Sequence, residues 1–393
     1  MNTDRSSTAH AAARFLGEAA SRLGSLHAVV GFDAFIDSII HVVDQRFAMT
    51  PEGFTRIETI GQFAARAAAA AGKSTNLEMV EKERRFGGNG PLMAGALGRA
   101  GMQVTYVGAV GRPDAPRQLH PIYEEFAARC QLVVPVAPPA TTDALEFEDG
   151  KIMLGKPANI QGVTWDVLKS VIGVDQIVER FNRASLVGMV NWVMMGGVEG
   201  IWTGLCEEVF PKLAEPAKKR VFIDLCDPAK RTDADIMRAV KLLQRMNSLI
   251  PVTLGLNQAE AERIAKVVGA ADPAGQEMQT LGMAMRSIAV EIQKKTGLNT
   301  IVVHPREGAA AANMENQSAW FEGPFTRTPK LSTGAGDHFN AGFALGQTIG
   351  MPLEQSLALG CATSGAYVRD AESPTVDRLV EFLSHLPPGE SHS

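Results

Sequence analysis

The chain has 393 residues, 45% of them hydrophobic and 21% charged, which excludes a disordered chain and leaves room for two average domains or one large α/β domain with an appendage. With 38 Lys and Arg against 43 Asp and Glu, the net charge of −5 argues against a nucleic-acid binder that works by diffuse phosphate attraction. Cys130, Cys206, Cys226 and Cys361 have no C-x-x-C spacing, so neither a zinc site nor a disulfide framework is expected.

Residues 1–26 read as a polar tail leading into a helix. Arg14 and Glu18 interrupt the alanine run, so no signal peptide is expected, no apolar run is long enough for a membrane span, and a cytoplasmic setting follows. Strands are predicted at 27–32, 103–110, 131–136, 192–197, 221–225, 248–256 and 299–304. Helical patterns fall between them at 91–101, 120–130, 164–183, 201–214, 233–246, 257–268 and 275–296. This alternation calls for a doubly wound, mostly parallel sheet with helices on both faces. Two regions break the rhythm. Residues 33–86 read as a helix-rich insert, with a helical pattern at 60–74. Residues 144–154 read as a hairpin about Asp149-Gly150, a dipeptide suited to a type I′ turn, and belong outside the parallel sheet in a small flap.

The sharpest chemical signal is LSTGAGDHFNAGFALG at 331–346. Gly334, Ala335 and Gly336 at a helix start can bring bare amides up to a phosphate, and the first helical turn favours negative charge there. Asp337 follows at once and can accept the proton of an attacking hydroxyl, with the helix terminus expected to keep it ionised and hence a weak base. Read alone, the same residues make a tight turn with a capping aspartate. A second cluster, FGGNGPLMAGALGRAGM at 86–102, sets Gly87, Gly88 and Asn89 before another helix. Bare backbone there can lie against a ligand and the amide can meet hydroxyls, although small residues for tight packing explain the cluster equally well. The spacing is not that of a dinucleotide fingerprint.

Together, GGNG…LGRAG and STGAGDHFNAG resemble the two signatures of the ribokinase-like carbohydrate kinases, the phosphofructokinase-B family, over most of the chain from about 29 to 368. NQAE at 257–260 is similar to that family's N-x-x-E motif. It implies that Asn257 serves the nucleotide and that Glu260 holds Mg²⁺ through water, where the residues alone read as a capping box. FIDLCDPAKR at 222–231 resembles a strand end facing nucleotide phosphates, which implicates Asp224 and Asp227, with Thr333 beside them. In GFDAFID at 31–37, extended backbone points Asp33, Phe35 and Asp37 to one face. The family's sugar-binding acid matches Asp37 best, and the spacing also looks like that of ADP-dependent sugar kinases. Three departures stand out. Leu331-Ser332-Thr333 replaces D-T-T, which removes an acid tied to a monovalent-cation site in many relatives. His304-Pro305-Arg306 replaces a T-x-G strand end. Leu92 stands where an Asn is common, with Asn89 as its substitute.

The resemblance implies a kinase domain over 27–385 with a small β-rich lid formed by about 33–86 and 141–160, and a C-terminal tail over 386–393. It implies phosphorylation of a sugar or related small polyol by ATP (ADP staying open as donor) with Mg²⁺, Asp337 acting as base and the 334–336 amides as anion hole. Asp37, Asp33, Gly87, Gly88 and Asn89 would hold the acceptor, and two copies would pair through the lid. A nucleoside or vitamin kinase on the same scaffold, and a catalytically weak sugar-sensing protein, stay open as alternatives. His338 is expected either behind the reacting groups or exposed to solvent, because neighbours on a helix point about 100° apart.

Overall fold

The computed structural model describes residues 4–270 and 280–390. Helix α1 (Arg5–Leu23), capped by Asp4, leads into strand β1 (His27–Phe32), and after two residues a long strand, β2 (Phe35–Arg46), begins. Next come β3 (Phe54–Arg56), α2 (Ile60–Ala68), β4 (Met79–Gly87), α3 (Asn89–Arg99), β5 (Gln103–Gly108), α4 (Glu124–Ala127) and β6 (Leu132–Pro135). The hairpin β7 (Ala140–Phe147) and β8 (Gly150–Lys156) precedes α5 (Trp165–Val171), α6 (Val174–Arg183), β9 (Ala184–Val190) and α7 (Val198–Gly204). The alternation resumes with β10 (Arg220–Asp224), α8 (Asp233–Asn247), β11 (Val252–Leu256), α9 (Gln258–Val268), α10 (Leu281–Thr296) and β12 (Thr300–Val303). An antiparallel pair, β13 (Gly308–Asn313) and β14 (Ser318–Glu322), and three helices, α11 (Ala335–Ile349), α12 (Leu353–Asp370) and α13 (Val376–Ser384), complete the described chain.

Nine strands make the main sheet in the order β14-β13-β12-β11-β10-β9-β1-β5-β6. From β12 to β6 all neighbours are parallel, and only β13 runs against the rest, pairing antiparallel with both β12 and β14. β11 and β12 are buried at every residue, as strands covered on both faces must be. Helices α1, α3, α11, α12 and α13 pack into one layer, and α7 to α10 into another. The expected doubly wound α/β architecture is therefore the observed one. From β1 the chain first builds outward through β5 and β6, and later returns to the other side of β1 with β9. Strand order thus reverses between β1 and β9, the place where such sheets open a crevice at their C-terminal ends.

Several predicted elements need correction. The strand expected at 192–197 lies at Ala184–Val190 instead, and 192–197 is a turn that follows a left-handed residue, Asn191 (φ 66°). Helix α6 runs into β9 with no intervening residue, so no punctuation marked the change. The single helix expected at 164–183 is two, α5 and α6, parted at Gly173. The helices expected at 120–130 and 201–214 shorten to α4 and α7 with tighter or wider turns beside them. The start of the helix expected at 275–296 lies outside the described residues. β13 went unread because its sequence, GAAAAN, is poor in β-formers. Ala309–Ala312 are all buried, with α10 and α12 both packed on the strand, so small side chains suit it.

A second sheet, β3-β2-β7-β8 with β4 also on β2, stands apart. The stretch read as a helix-rich insert is thus mostly strand, with α2 as its one helix over Ile60–Ala68. Ile40, Val42, Leu145 and Phe147 form a small core with Ile60 and Phe63 of α2, separate from the main core. Asp149 accepts from the Ile60 amide at 2.9 Å and ties the hairpin to α2. The hairpin is present, but Phe147 pairs with Gly150, so its central residues are Glu148 and Asp149. Neither has a positive φ, so the turn is not of the I′ type.

Helices α11 and α12 pack through small residues, which fixes where α11 begins. A Cβ on Gly342 would lie 2.2 Å from Thr363 Oγ1 and 2.8 Å from the Leu359 carbonyl. Thr363 cannot easily turn away, since its hydroxyl donates to that carbonyl at 2.7 Å. Overpacking of this kind costs about 1–3 kcal/mol, against a gain of about 1 kcal/mol from helix propensity. Gly342→Ala is therefore expected to lower the urea midpoint, and an unchanged midpoint would mean that the two helices part freely. Among the described residues no helix is long and apolar enough to cross a membrane, and all four cysteines are free.

Candidate active site

Gly334 caps α11 with φ 89°, a left-handed conformation, and a Cβ there would crowd Leu92 Cδ1 at 3.0 Å and Tyr367 Oη at 3.1 Å. The Ala335 amide donates to the Ser332 carbonyl at 3.2 Å, so the flanking glycines are the better candidates for a cradle. Asp337 lies in the first turn of α11, 7% exposed, and accepts from Asn89 Nδ2 at 2.9 Å. Burial, and then the charge of Asp224, hold its carboxyl well above the usual carboxylate range, with Asn89 opposing them. The expectation of an aspartate kept weakly basic by the helix terminus is thus overturned. Desolvation of a buried acid can outweigh a helix terminus, which contributes about 0.3–1 kcal/mol near a surface.

Asp224 ends β10 beneath Asp337, accepting from Asn340 Nδ2 at 2.6 Å and from the Cys226 amide at 2.8 Å. Burial, followed by the charge of Glu260, pushes it up to about 8. Asn257 and Glu260 form a reciprocal capping box at the start of α9: Asn257 Oδ1 accepts from the Glu260 amide at 3.0 Å, and Glu260 Oε2 accepts from the Asn257 amide at 2.8 Å. The Asp227 amide donates to Glu260 Oε1 at 2.8 Å, while the Asp227 side chain turns to Lys230 at 3.1 Å. Among the described residues no three ligating side chains converge into a metal cage. Asp224 and Glu260 are nevertheless buried acids whose ionisation is opposed first by burial, and then by the charge of Glu260 on Asp224 and of Asp227 on Glu260; among the described residues neither has a basic partner in an ion pair. Hard oxygens in that state suit Mg²⁺ held through water and phosphate, the way this ion is commonly bound.

Two cavities flank the N-terminus of α11 and share Thr333 in their walls. The larger, about 690 Å³, is lined by Asn257, Thr333, Ala335, Gly336, His304 and Arg306, among others. Its size suits a nucleotide-sized ligand. Asp224 and Asp227, expected to face nucleotide, are not in its lining. His304 packs against Phe339, ring centroids 4.6 Å apart and planes tilted by 33°, and burial drops it to about 4, so it is neutral. The smaller cavity, about 260 Å³, is lined by Asp37, Arg85, Gly87, Leu92 and Tyr367. Burial raises the Asp37 carboxyl, and Thr142 and the Arg85 charge oppose the rise. Gly87 lies against Asp37, since a Cβ there would fall 2.3 Å from Oδ2.

Asp33, expected beside Asp37 on the substrate face, is fully enclosed instead. It accepts from the amides of Asn89 (3.1 Å) and Gly90 (2.7 Å) and from Asn191 Nδ2 (2.8 Å). The chain bends between β1 and β2, so the extended run that would align Asp33 with Asp37 does not form. Gly88 takes φ 104° against Ala34, which supports a close approach of backbone to backbone there. His338 is buried, not exposed, and it is in the lining of the smaller cavity. Its Nδ1 lies 2.8 Å from the Gly334 carbonyl, its Nε2 lies 2.9 Å from Ser373 Oγ, and Tyr367 stacks on it. Arg85, Asn191 and Asn340 were missed by sequence reasoning. Asn340 had a signal, three residues after Asp337 and so on nearly the same helical face; the others had none.

A family model described as "Prokaryotic ketohexokinase" matches residues 4–386. The chain is 29% identical over 387 residues to a ketohexokinase of Haloferax volcanii, covering 98% of both chains. It is similar in structure to a phosphofructokinase-2 mutant of Escherichia coli (TM-score 0.60, 15% identity, 92% of this chain and 98% of that one). It is also similar to an Arabidopsis thaliana ribokinase solved with ribose and ATP (TM-score 0.59, 16% identity, 91% and 98%). At those identities the structural likeness speaks for the fold, which is ribokinase-like.

Proposed function

The chain belongs to the prokaryotic ketohexokinase family and is a ribokinase-like sugar kinase, and from that premise we propose that it transfers the terminal phosphoryl group of ATP to a hydroxyl of a ketohexose. The observation that carries this reading is the position of Asp337. It sits buried in the first turn of α11, the helix whose N-terminus is flanked by a nucleotide-sized cleft and a sugar-sized cavity sharing Thr333, although its own side chain is in the lining of neither. The two signatures favour the phosphofructokinase-B group within this fold.

In this reading the donor lies in the larger cleft, with its phosphates at the Gly336 amide, beside the turn made by Gly334, and with Arg306 in the wall. The acceptor lies in the smaller cavity, held by Asp37, whose carboxylate packs over the bare backbone of Gly87, with Arg85 donating to the acceptor's oxygens. Asn89 holds Asp337 by one oxygen, leaving the other to take the hydroxyl proton as the new O–P bond forms and the bond to the departing nucleotide breaks. Burial makes Asp337 a stronger base than an exposed aspartate once it is deprotonated. Asp224 and Glu260 would hold Mg²⁺ through water. When bound, that ion would supply positive charge against the phosphate oxygens. The second sheet acts as a lid over the acceptor, excluding water as a competing acceptor. Pairing of two copies through it is supported by its exposed Phe47, Met49, Met153 and Leu154.

The test is nucleotide consumption by the purified protein against ketohexoses, aldohexoses, nucleosides and hydroxymethylpyrimidines, with ATP and ADP as separate donors. Turnover is expected with a ketohexose and ATP. Turnover confined to a nucleoside or pyrimidine would replace the acceptor assignment, and turnover with ADP alone would replace the donor.

A further inference from the structure

Helix α3 begins without a cap of its own. Gly88, the residue before it, has no side chain, yet the first amides of any helix need acceptors. Two of them, on Asn89 and Gly90, are taken by Asp33, more than fifty residues upstream at the end of β1. A Cβ on Gly90 would lie 2.9 Å from Asp33 Oδ1, so no ligand atom fits between carboxylate and helix. The anion-binding capacity of this terminus is therefore already occupied by a residue of the protein itself.

Asp33 is in turn gripped from across the switch point. Asn191, the first residue after β9, donates from Nδ2 to Asp33 Oδ2 at 2.8 Å. Its Oδ1 accepts from the Met194 amide at 3.2 Å, and its own amide donates to the Asp224 carbonyl at 2.9 Å. Both ends of this side chain are thus fixed, on a left-handed backbone that asparagine and glycine tolerate better than other residues. The far end of the series reaches the site, because Asn89 donates from its side chain to Asp337 at 2.9 Å while its main chain is held by Asp33.

We propose that Asn191 and Asp33 are positioning residues for phosphoryl transfer, a buried strut between β9, β1 and α3 that sets Asn89 and, through it, the orientation of Asp337. Neither residue touches substrate. The inference rests on the reading of Asp337 as base. A displacement of about 1 Å at a reacting group can lower the rate ~100-fold, so a strut of this kind acts on turnover more than on binding.

The variants are Asn191→Gly, Asn191→Asp, Asp33→Asn and the double exchange Asp33→Asn/Asn191→Asp, assayed beside Asp337→Asn for kcat, both KM values and melting temperature. Asn191→Asp sets two carboxylates against each other and is expected to lower kcat about 100-fold, with both KM values within about threefold. Asn191→Gly keeps the backbone conformation and removes only the side chain, for a loss of about tenfold. The double exchange restores an amide facing a carboxylate between positions 33 and 191, although the Asn89 amide loses its acceptor, and its loss should therefore be smaller than the two single losses combined. Wild-type kcat in Asn191→Gly, or a double exchange that merely sums the two single losses, overturns the strut. So does a rise in acceptor KM at constant kcat for Asp33→Asn, which would return Asp33 to the acceptor pocket. Wild-type turnover in Asp337→Asn overturns the reading of the base; an inactive Asp337→Asn beside undisturbed Asn191 variants overturns the strut alone.

Discussion

Asp337→Asn is expected to lower kcat by about 10²–10⁴ while donor and acceptor KM values stay within a few-fold, because the substitution removes a proton acceptor and little else. The shape is kept, and the new amide can still accept from Asn89 Nδ2 through its own oxygen. The pH dependence gives a second handle. Only the ionised carboxylate can take the hydroxyl proton, and burial with the Asp224 charge raises its pKa. kcat, measured at saturating acceptor, should therefore fall as pH drops through a limb above the ordinary carboxylate range near pH 4. That limb should be missing from the residual activity of the variant. Rate–pH profiles of both proteins check the point. A variant with wild-type kcat, or one that keeps the same limb, removes Asp337 from the chemistry.

The sequence revealed the sheet where strands are buried on both faces, because continuous runs such as VFID and VTLGL carry their burial in their composition. It hid β9, where helix passes to strand without a breaker, and β13, where close packing selects alanine. The position of Asp337 could be foreseen from local order alone, since a glycine pair and an acid at a helix start are neighbours in the chain. Asp33 could not be read this way. Its partners lie 56, 57 and 158 residues away, brought together only when β1 and β9 pair across the switch point. Arg85 was equally hidden, because it meets Asp37 only through the antiparallel register of β2 and β4. Glu260 is the reverse case. Its capping box is local and legible, whereas its electrostatic coupling to Asp224 at the end of β10 depends on the parallel pairing of β10 with β11.

Asp37→Ala should separate the two cavities functionally, raising acceptor KM by about 10- to 150-fold with donor KM nearly unchanged. The magnitude follows from a hydrogen bond to a charged group, about 1.5–3 kcal/mol, at about 1.4 kcal/mol per tenfold. Asp37 lines the smaller cavity and is not in the lining of the larger one, so nothing in its surroundings links it to the donor. Thr142 and Arg85 oppose the effect of burial on its carboxyl, and protonation would turn a charged acceptor into a weaker neutral one. Acceptor KM in the wild type should therefore rise as pH falls through the raised pKa of Asp37, and Asp37→Asn should remove that rise while keeping part of the affinity. Steady-state kinetics with each substrate varied in turn at several pH values measures all of this. If donor KM moves instead, acceptor and nucleotide occupy each other's cavities. If neither moves, the wall formed by Asp37, Arg85 and Gly87 holds no substrate, and the lid shelters something other than the reacting sugar.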